Sequence, residues 1–369
     1  MKGPQLLILG AGGLGGWVLE LAARDMRFHW IVLADVNEEY GEKKVLNART
    51  GAAYHGRYPR IDFEQIDLLK EQQTAETINR LQPEVIINCT TLLSWWVTKQ
   101  VPPETLEKLE KVGFGPWLPM HLALTRRLMK AVKQADYRGS VINGSFPDAV
   151  NPVLGKLDLA PLCGLGNFDL LYPAIKLEVG RRLGINGANV DVIMVMHHFH
   201  TSFFRKHAEG PPPYYLKINV GGEDISSKWN RNQLLYEASK NRLEGAEINP
   251  QVASSALQIV QAILENSGKL IHVPGPGGLP GGYPTLIFRD KAEISLPGEL
   301  SLAGAVKMNE EAGKRDGIEK IEEDGRVVFT EQAAETMKDN LGYDCPVLDP
   351  DEDFERAREL IGLFKKIAR

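Results

Sequence analysis

Six residues, Gly10-Ala11-Gly12-Gly13-Leu14-Gly15, constrain this chain more than any others. They form a GxGxxG pattern directly after the apolar run Leu6-Leu7-Ile8-Leu9 and directly before a stretch of helical apolar spacing that reaches Ala23. A short continuous apolar run is what a strand covered on both faces requires. Each glycine then has a mechanical job: a tight turn, close approach of the backbone to a pyrophosphate, and close packing of helix on sheet. The helix N-terminus adds free N–H groups and a positive dipole end for phosphates. The second apolar run, Trp30 to Ala34, ends on Asp35, an acid placed to accept hydrogen bonds from adenosine ribose hydroxyls and to repel a 2′-phosphate. No arginine stands nearby to receive that phosphate. The pattern predicts a dinucleotide site built by Gly10, Gly12, Gly13, Leu14, Gly15, Asp35 and Asn37, with NAD preferred over NADP. FAD and S-adenosylmethionine use similar loops and stay open as alternatives. Thr90, just after the fourth apolar run, and Asp67, after the third, are further cofactor candidates, although a solvated helix cap is the favoured reading of Asp67.

Strand-like runs alternate with helical patterns from the first residues to about 150, at Ile61 to Ile66, Val85 to Ile87 and Val141-Ile142, with helices at Glu38 to Arg49, Glu71 to Leu81 and Met120 to Val132. Strands alternating with helices imply right-handed crossovers and a parallel sheet. The fold class expected is therefore α/β: an N-terminal Rossmann doubly wound parallel sheet over 1–150, followed by an α+β substrate or oligomerisation domain over 151–369. In that second part Phe168 to Leu183 reads as a long helix. Asn189 to Met196 reads as a strand ending in His197-His198-Phe199-His200, and Tyr214 to Val220 as a strand before a Gly221-Gly222 hairpin turn. Asn249-Pro250 opens a helix that stops near Gly268. The Gly- and Pro-dense segment 274–284 reads as loop.

At 369 residues the length suits two domains. A formal net charge of −5 gives no electrostatic reason to expect nucleic acid or anionic membrane as a partner. Three widely spaced cysteines, with no CxxC pair, argue against a disulfide framework and for a reducing compartment. The opening residues Met1-Lys2-Gly3-Pro4 lead into the first strand without the apolar stretch of a signal peptide, and no run approaches the length that spans a bilayer. These features imply a cytoplasmic protein acting on a small-molecule substrate.

Three segments between Trp117 and His200 resemble the lactate/malate dehydrogenase superfamily, which includes NAD-dependent glycosidases. They are the helix from His121 to Lys130 leading to a strand and the turn Gly144-Ser145-Phe146-Pro147, the turn Gly164-Leu165-Gly166-Asn167-Phe168-Asp169 at the head of a long helix, and the β run ending at His198. The N-terminal half alone is also similar to saccharopine-dehydrogenase-type NAD(P)-binding domains. The superfamily resemblance implies a homodimer or homotetramer in which His198 is the catalytic acid/base and Asp169 its orienting carboxylate. The chemistry agrees, because a hydride leaving an alcohol carbon needs a base for the hydroxyl proton, and a carboxylate on the far ring nitrogen stabilises the imidazolium. Packed strand-end and helix-cap roles are the bland alternatives for the two residues.

Departures from the superfamily pattern are informative. Tyr172 stands where an arginine would clamp a substrate carboxylate, the loop after the fourth strand carries Trp95 and Trp96 in place of a second arginine, and Phe146 replaces an asparagine. A simple 2-hydroxy acid is therefore not expected. Trp95, Trp96, Tyr172 and His200 are the substrate-binding candidates. The expected function is an NAD-dependent dehydrogenase of a secondary alcohol or amine. The alternatives are a hydrolase or lyase that retains NAD, with a metal held by His198 and His200 on one strand face, and an NAD-sensing regulator without catalysis. No metal is assigned.

Overall fold

In the computed structural model, residues 3–240 and 242–368 are described; Met1, Lys2, Asn241 and Arg369 lie outside the described residues. Six parallel strands form the central sheet: β1 (Leu6–Leu9), β2 (Trp30–Asp35), β3 (Arg60–Gln65), β4 (Val85–Asn88), β5 (Ser140–Asn143) and β6 (Cys163–Gly164), in the order β3-β2-β1-β4-β5-β6. The chain reverses direction across the sheet between β1 and β4, which pair directly with Leu6 opposite Val85. In an open α/β sheet that reversal opens a crevice at the carboxyl ends of the strands. β1, β4 and β5 are buried throughout, as strands of a twice-covered sheet must be, and the polar ends Asn88 and Asn143 are buried with them.

Helices α1 (Gly13–Arg24) and α2 (Glu38–Ala53) cover one face, packed with α10 (Asn249–Glu265), which returns from far along the chain to lie on α1. On the other face lie α3 (Glu71–Leu81), α5 (Leu118–Gln134) and the C-terminal helix α13 (Asp353–Lys365). The α5–α13 joint contains a fully paired charge cluster: buried Arg126 donates from Nε to Asp353 Oδ2 at 2.6 Å and from Nη1 to Asp351 Oδ1 at 2.9 Å. Arg127 Nη1 reaches Asp353 Oδ1 at 2.9 Å.

The second part holds small antiparallel sheets. β7 (Val190–Val195) pairs β8 (Tyr215–Val220), which turns at Gly221-Gly222 into β9 (Glu223–Asp224), as the hairpin signal predicts. β10 (Lys269–Pro274), β11 (Gly282–Ile287) and β12 (Ala292–Ile294) form another sheet. Here the loop expected over 274–284 is shorter than its composition suggests, because Gly282 to Pro284 already pair with His272 to Pro274. The largest difference concerns the histidines. Strand β7 stops at Val195, Met196 makes a single bridge to Gly282, and His197 becomes the N-cap of helix α8 (His198–Lys206). The alternation of a strand therefore does not govern His197, His198 and His200. Among the described residues no helix is long and apolar enough to cross a membrane.

Candidate active site

One cavity of about 1290 Å³ runs along the carboxyl edge of the sheet. Its volume exceeds the usual range for a single small-ligand pocket. At one end stands the glycine loop. Gly10 adopts φ +94°, a left-handed conformation that a side chain would strain, and a Cβ there would press on the Cys89 backbone at 3.1 Å. A Cβ at Gly15 would lie 1.8 Å from the Gly10 carbonyl oxygen, so helix α1 approaches its own strand too closely for any side chain. Gly12 differs: a Cβ there meets nothing within 4 Å and would occupy the open cavity. Gly12 is the N-cap of α1 and supplies no side-chain cap, so the first N–H groups of the helix remain free to face a ligand.

Asp35 closes this end. Its Oδ2 accepts from Ala11 N–H at 2.7 Å and its Oδ1 from Asn37 N–H at 2.9 Å, which ties the glycine loop to β2 while leaving a lone pair on each oxygen. Gly10, Gly12, Gly13, Leu14, Asp35, Asp67 and Thr90 all line the cavity. Gly15 and Asn37 do not: Gly15 serves packing, and the Asn37 side chain caps α2 by accepting from Tyr40 N–H at 3.0 Å. Asp67 has the same kind of local task, accepting from Leu69 N–H at 3.0 Å, and still faces the cavity. Asn249, from the first turn of α10, approaches Gly13 and lines the cavity; its sequence signal is only that of a helix start.

A buried asparagine network sets the middle of the cavity. Asn88 Nδ2 donates to Thr125 Oγ1 and to Asn143 Oδ1, both at 3.0 Å, while Asn88 Oδ1 accepts from the Thr90 hydroxyl at 2.7 Å. Asn143 Nδ2 continues to Asn151 Oδ1 at 2.9 Å. Buried amides must be satisfied, and here they fix the two turns that follow β4 and β5. The second of these turns carries Phe146 at φ +45°, a strained conformation for an aromatic residue.

Around Phe146 stand two histidines. The Phe146 ring lies edge-on to His198 at 5.2 Å and to His121 at 5.9 Å, with Phe114 within 6 Å of both imidazoles. His121, on α5, was read only as part of a helix. It is buried, its Nδ1 lies 3.0 Å from Ser145 Oγ, and its Nε2 has no partner among the described residues. Burial, with a smaller push from His198, lowers its pKa to about 3, so the ring is neutral throughout the physiological range.

His198 does face the cavity, at 22% side-chain exposure, but its carboxylate is Asp316 rather than Asp169. His198 Nδ1 lies 3.0 Å from Asp316 Oδ2. Asp316 follows helix α11 (Leu302–Arg315), and its Oδ1 accepts from Phe114 N–H at 2.8 Å. Burial opposes the imidazolium, but the charge and hydrogen bond of Asp316 outweigh it and raise the His198 pKa above 6.5. Burial likewise opposes the Asp316 carboxylate, and His198 more than compensates, so its pKa is lowered. The backbone N–H of His198 donates to Asp148 Oδ1 at 2.9 Å, which anchors the start of α8.

Asp169 instead takes a hydrogen bond from the Ser255 hydroxyl on α10, and its Oδ1 is buried without a partner among the described residues. Burial is the main reason its pKa rises to about 7. Tyr172 points away, packed on His272 at 4.9 Å between ring centres. His200 is fully buried; its Nδ1 accepts from His197 N–H at 3.0 Å, and burial holds its pKa near 4. Neither Tyr172 nor His200 lines the cavity, so both expected substrate contacts are corrected: Tyr172 is half-buried against the core and His200 lies within it. On a helix, positions 198 and 200 diverge, so the two histidines do not form a metal pair. Among the described residues no group of three His, Cys, Asp or Glu side chains is placed to hold a metal ion. Trp95 and Trp96 line the cavity, with Lys99 Nζ 5.6 Å from the Trp95 ring centre.

The fold and cleft define a class, the two-part α/β proteins whose Rossmann sheet carries a mixed second part. No family model and no curated protein matches the sequence. Solved structures do, and they narrow the class to the lactate/malate dehydrogenase fold. The chain is similar to lactate dehydrogenase of Cryptosporidium parvum, complexed with lactic acid and NAD, at TM-score 0.60 and 16% identity over 85% of this chain and 95% of that one. It is similar to malate dehydrogenase of the same organism at TM-score 0.59 and 17% identity, over 85% and 96%. Malate dehydrogenase of Plasmodium falciparum aligns over 99% of this chain and 100% of its own at TM-score 0.57 and 14% identity. This chain has the fold of the lactate and malate dehydrogenases.

Proposed function

We propose that this protein is an NAD-dependent dehydrogenase that transfers a hydride between NAD and a secondary alcohol or amine carbon. The observation that carries the reading is the His198–Asp316 pair, 3.0 Å apart, in the same cavity as the glycine loop. The residues at the other end fit a dinucleotide: an open cradle above Gly12, free helix N–H groups, and a carboxylate at Asp35 with spare acceptor capacity. Bound there, NAD would supply the hydride acceptor.

The chain's own residues handle the proton. His198 takes the hydroxyl proton as the alcohol is oxidised and returns it in the reverse direction. Asp316 orients the ring through Nδ1, which directs Nε2 to the substrate, and it stabilises the imidazolium once formed. Phe114, Phe146, Trp95 and Trp96 give the cavity apolar walls, which exclude water and suit a bulky or ring-bearing substrate better than a small hydroxy acid.

The test incubates the full chain with NAD and a panel of secondary alcohols, amino acids and sugars, and follows absorbance of NADH. Net accumulation with at least one compound is the expected result; a retained cofactor with substrate consumed but no NADH released would replace this reading with a hydrolase or lyase. NAD is also expected to raise Tm more than NADP at equal concentration.

A further inference from the structure

Arg242 lies just before α10 and lines the cavity that contains His198. Its Nε and Nη1 are buried and have no hydrogen-bond partner among the described residues. Its carbonyl accepts from Arg205 Nη1 at 3.0 Å, so a second guanidinium is held against it rather than a carboxylate. The nearest acid on that segment, Glu244, is already engaged by Arg205 at 2.8 Å.

Arg242 is half-buried, and two buried, unpaired guanidinium nitrogens are expensive, because their desolvation is not repaid by a partner. Burial, with Arg205 adding to it, pulls the Arg242 pKa down to about 10 against the opposing pull of Asp169. Asp169 is a poor counter-ion. One of its oxygens is held by Ser255, and burial leaves the group only partly ionised at neutral pH. The molecule shows what a structural buried arginine looks like at Arg126, whose Nε and Nη1 each meet an aspartate. Arg242 carries the same charge with these donors left free.

We propose that Arg242 is an anion receptor, donating hydrogen bonds to carboxylate or phosphate oxygens of a ligand bound beside His198. The inference rests on the dehydrogenase reading only for the identity of that ligand: a carboxylate would belong to the substrate, a phosphate to the dinucleotide.

The experiment is isothermal titration of the full-length protein with NADH, with inorganic pyrophosphate, and with oxalate in the presence and absence of NADH. Wild type, Arg242→Met and Arg242→Gln are compared. Oxalate binding weakened at least tenfold in both variants, with NADH affinity unchanged within twofold, assigns the receptor to a substrate carboxylate. NADH and pyrophosphate weakened at least tenfold, with oxalate unchanged, assigns it to the cofactor. The apo Tm of Arg242→Met is expected to equal or exceed that of wild type, since an apolar side chain relieves the unpaired charge. The proposal is overturned if folded variants bind all three probes within twofold of wild type, if wild type binds none of them, or if both variants lose so much Tm that Arg242 proves structural. Failure of NADH alone to bind wild type would count against the dehydrogenase reading, while oxalate and pyrophosphate still decide the receptor.

Discussion

The two ends of the cavity are built on different principles. The glycine end comes from neighbours in sequence, residues 10 to 15 with one strand-end acid, and its polar groups are backbone N–H groups and a carboxylate already held in place. The histidine end is gathered from α5, the turn after β5, α8, the loop before α10 and the residue after α11, and two of its polar side chains, His121 and Arg242, keep atoms without partners among the described residues. A site dictated by backbone geometry can be specified locally, whereas one dictated by side-chain chemistry needs distant elements to converge. The comparison teaches where substitutions should act on binding and where on turnover.

The sharpest separation comes from one substitution at each end. Gly12→Val fills the open space above the loop and should weaken NAD at least a hundredfold by calorimetry, with Tm of the apo protein nearly unchanged because no neighbour lies within 4 Å. Undiminished NAD affinity in the folded variant would end the assignment of this loop. His198→Asn should do the opposite, lowering turnover roughly a hundredfold while NAD affinity stays within twofold. Asp316→Asn should follow His198→Asn in direction at about ten- to a hundredfold, and Asp169→Asn should not. If Asp169→Asn matched His198→Asn and Asp316→Asn left turnover intact, the carboxylate partner would have been wrongly assigned.

The protonation of His198 offers a test of intermediate size. The base form is needed for oxidation, and the raised pKa means that form appears only as pH climbs through a value above 6.5. Oxidation rate should therefore rise through that pKa, carbonyl reduction should fall through it, and Asp316→Asn should shift both profiles to lower pH. Profiles that do not move in the variant would separate Asp316 from the proton-transfer group.

Asp169 yields the smaller, structural effect. Its folded pKa, about 7, lies above the usual 3.8, so the folded state prefers the protonated acid. That preference contributes fully below about pH 4 and is lost as pH rises toward 7, an upper bound of about 4 kcal/mol. Asp169→Asn should flatten the fall in denaturant midpoint between pH 4 and 7; an unchanged slope would show that Asp169 is ionised in the folded protein.

How much of this was legible in the sequence follows the same division. The glycine loop, Asp35, the parallel alternation and helix α3, at Glu71–Leu81 as expected, were readable because each depends on local sterics and periodicity. The location of His198 in the cavity was also readable, from the resemblance. Its partner was not, because nothing near position 316 marks an aspartate as facing a residue 118 positions earlier. The error over His200 has a local cause: the apolar run continues as if β7 went on, but the bridge from Met196 to Gly282 and the His197 cap turn the chain into a helix. His121 and Arg242 carried no signal at all, since a histidine inside an amphipathic helix and an arginine in a loop are ordinary until burial and missing partners distinguish them.

The late position of Asp316 has a bearing on how the protein comes into being. The first four strands and the glycine loop all lie within the first 88 residues, whereas Asp316, the carboxylate against the His198 ring, comes late in the chain. A chain truncated before α11 would keep every residue of the glycine loop but present the His198 imidazole without its carboxylate partner. The pairing of His198 with Asp316 therefore waits on the late part of the chain, just as the cover over α1 waits on α10.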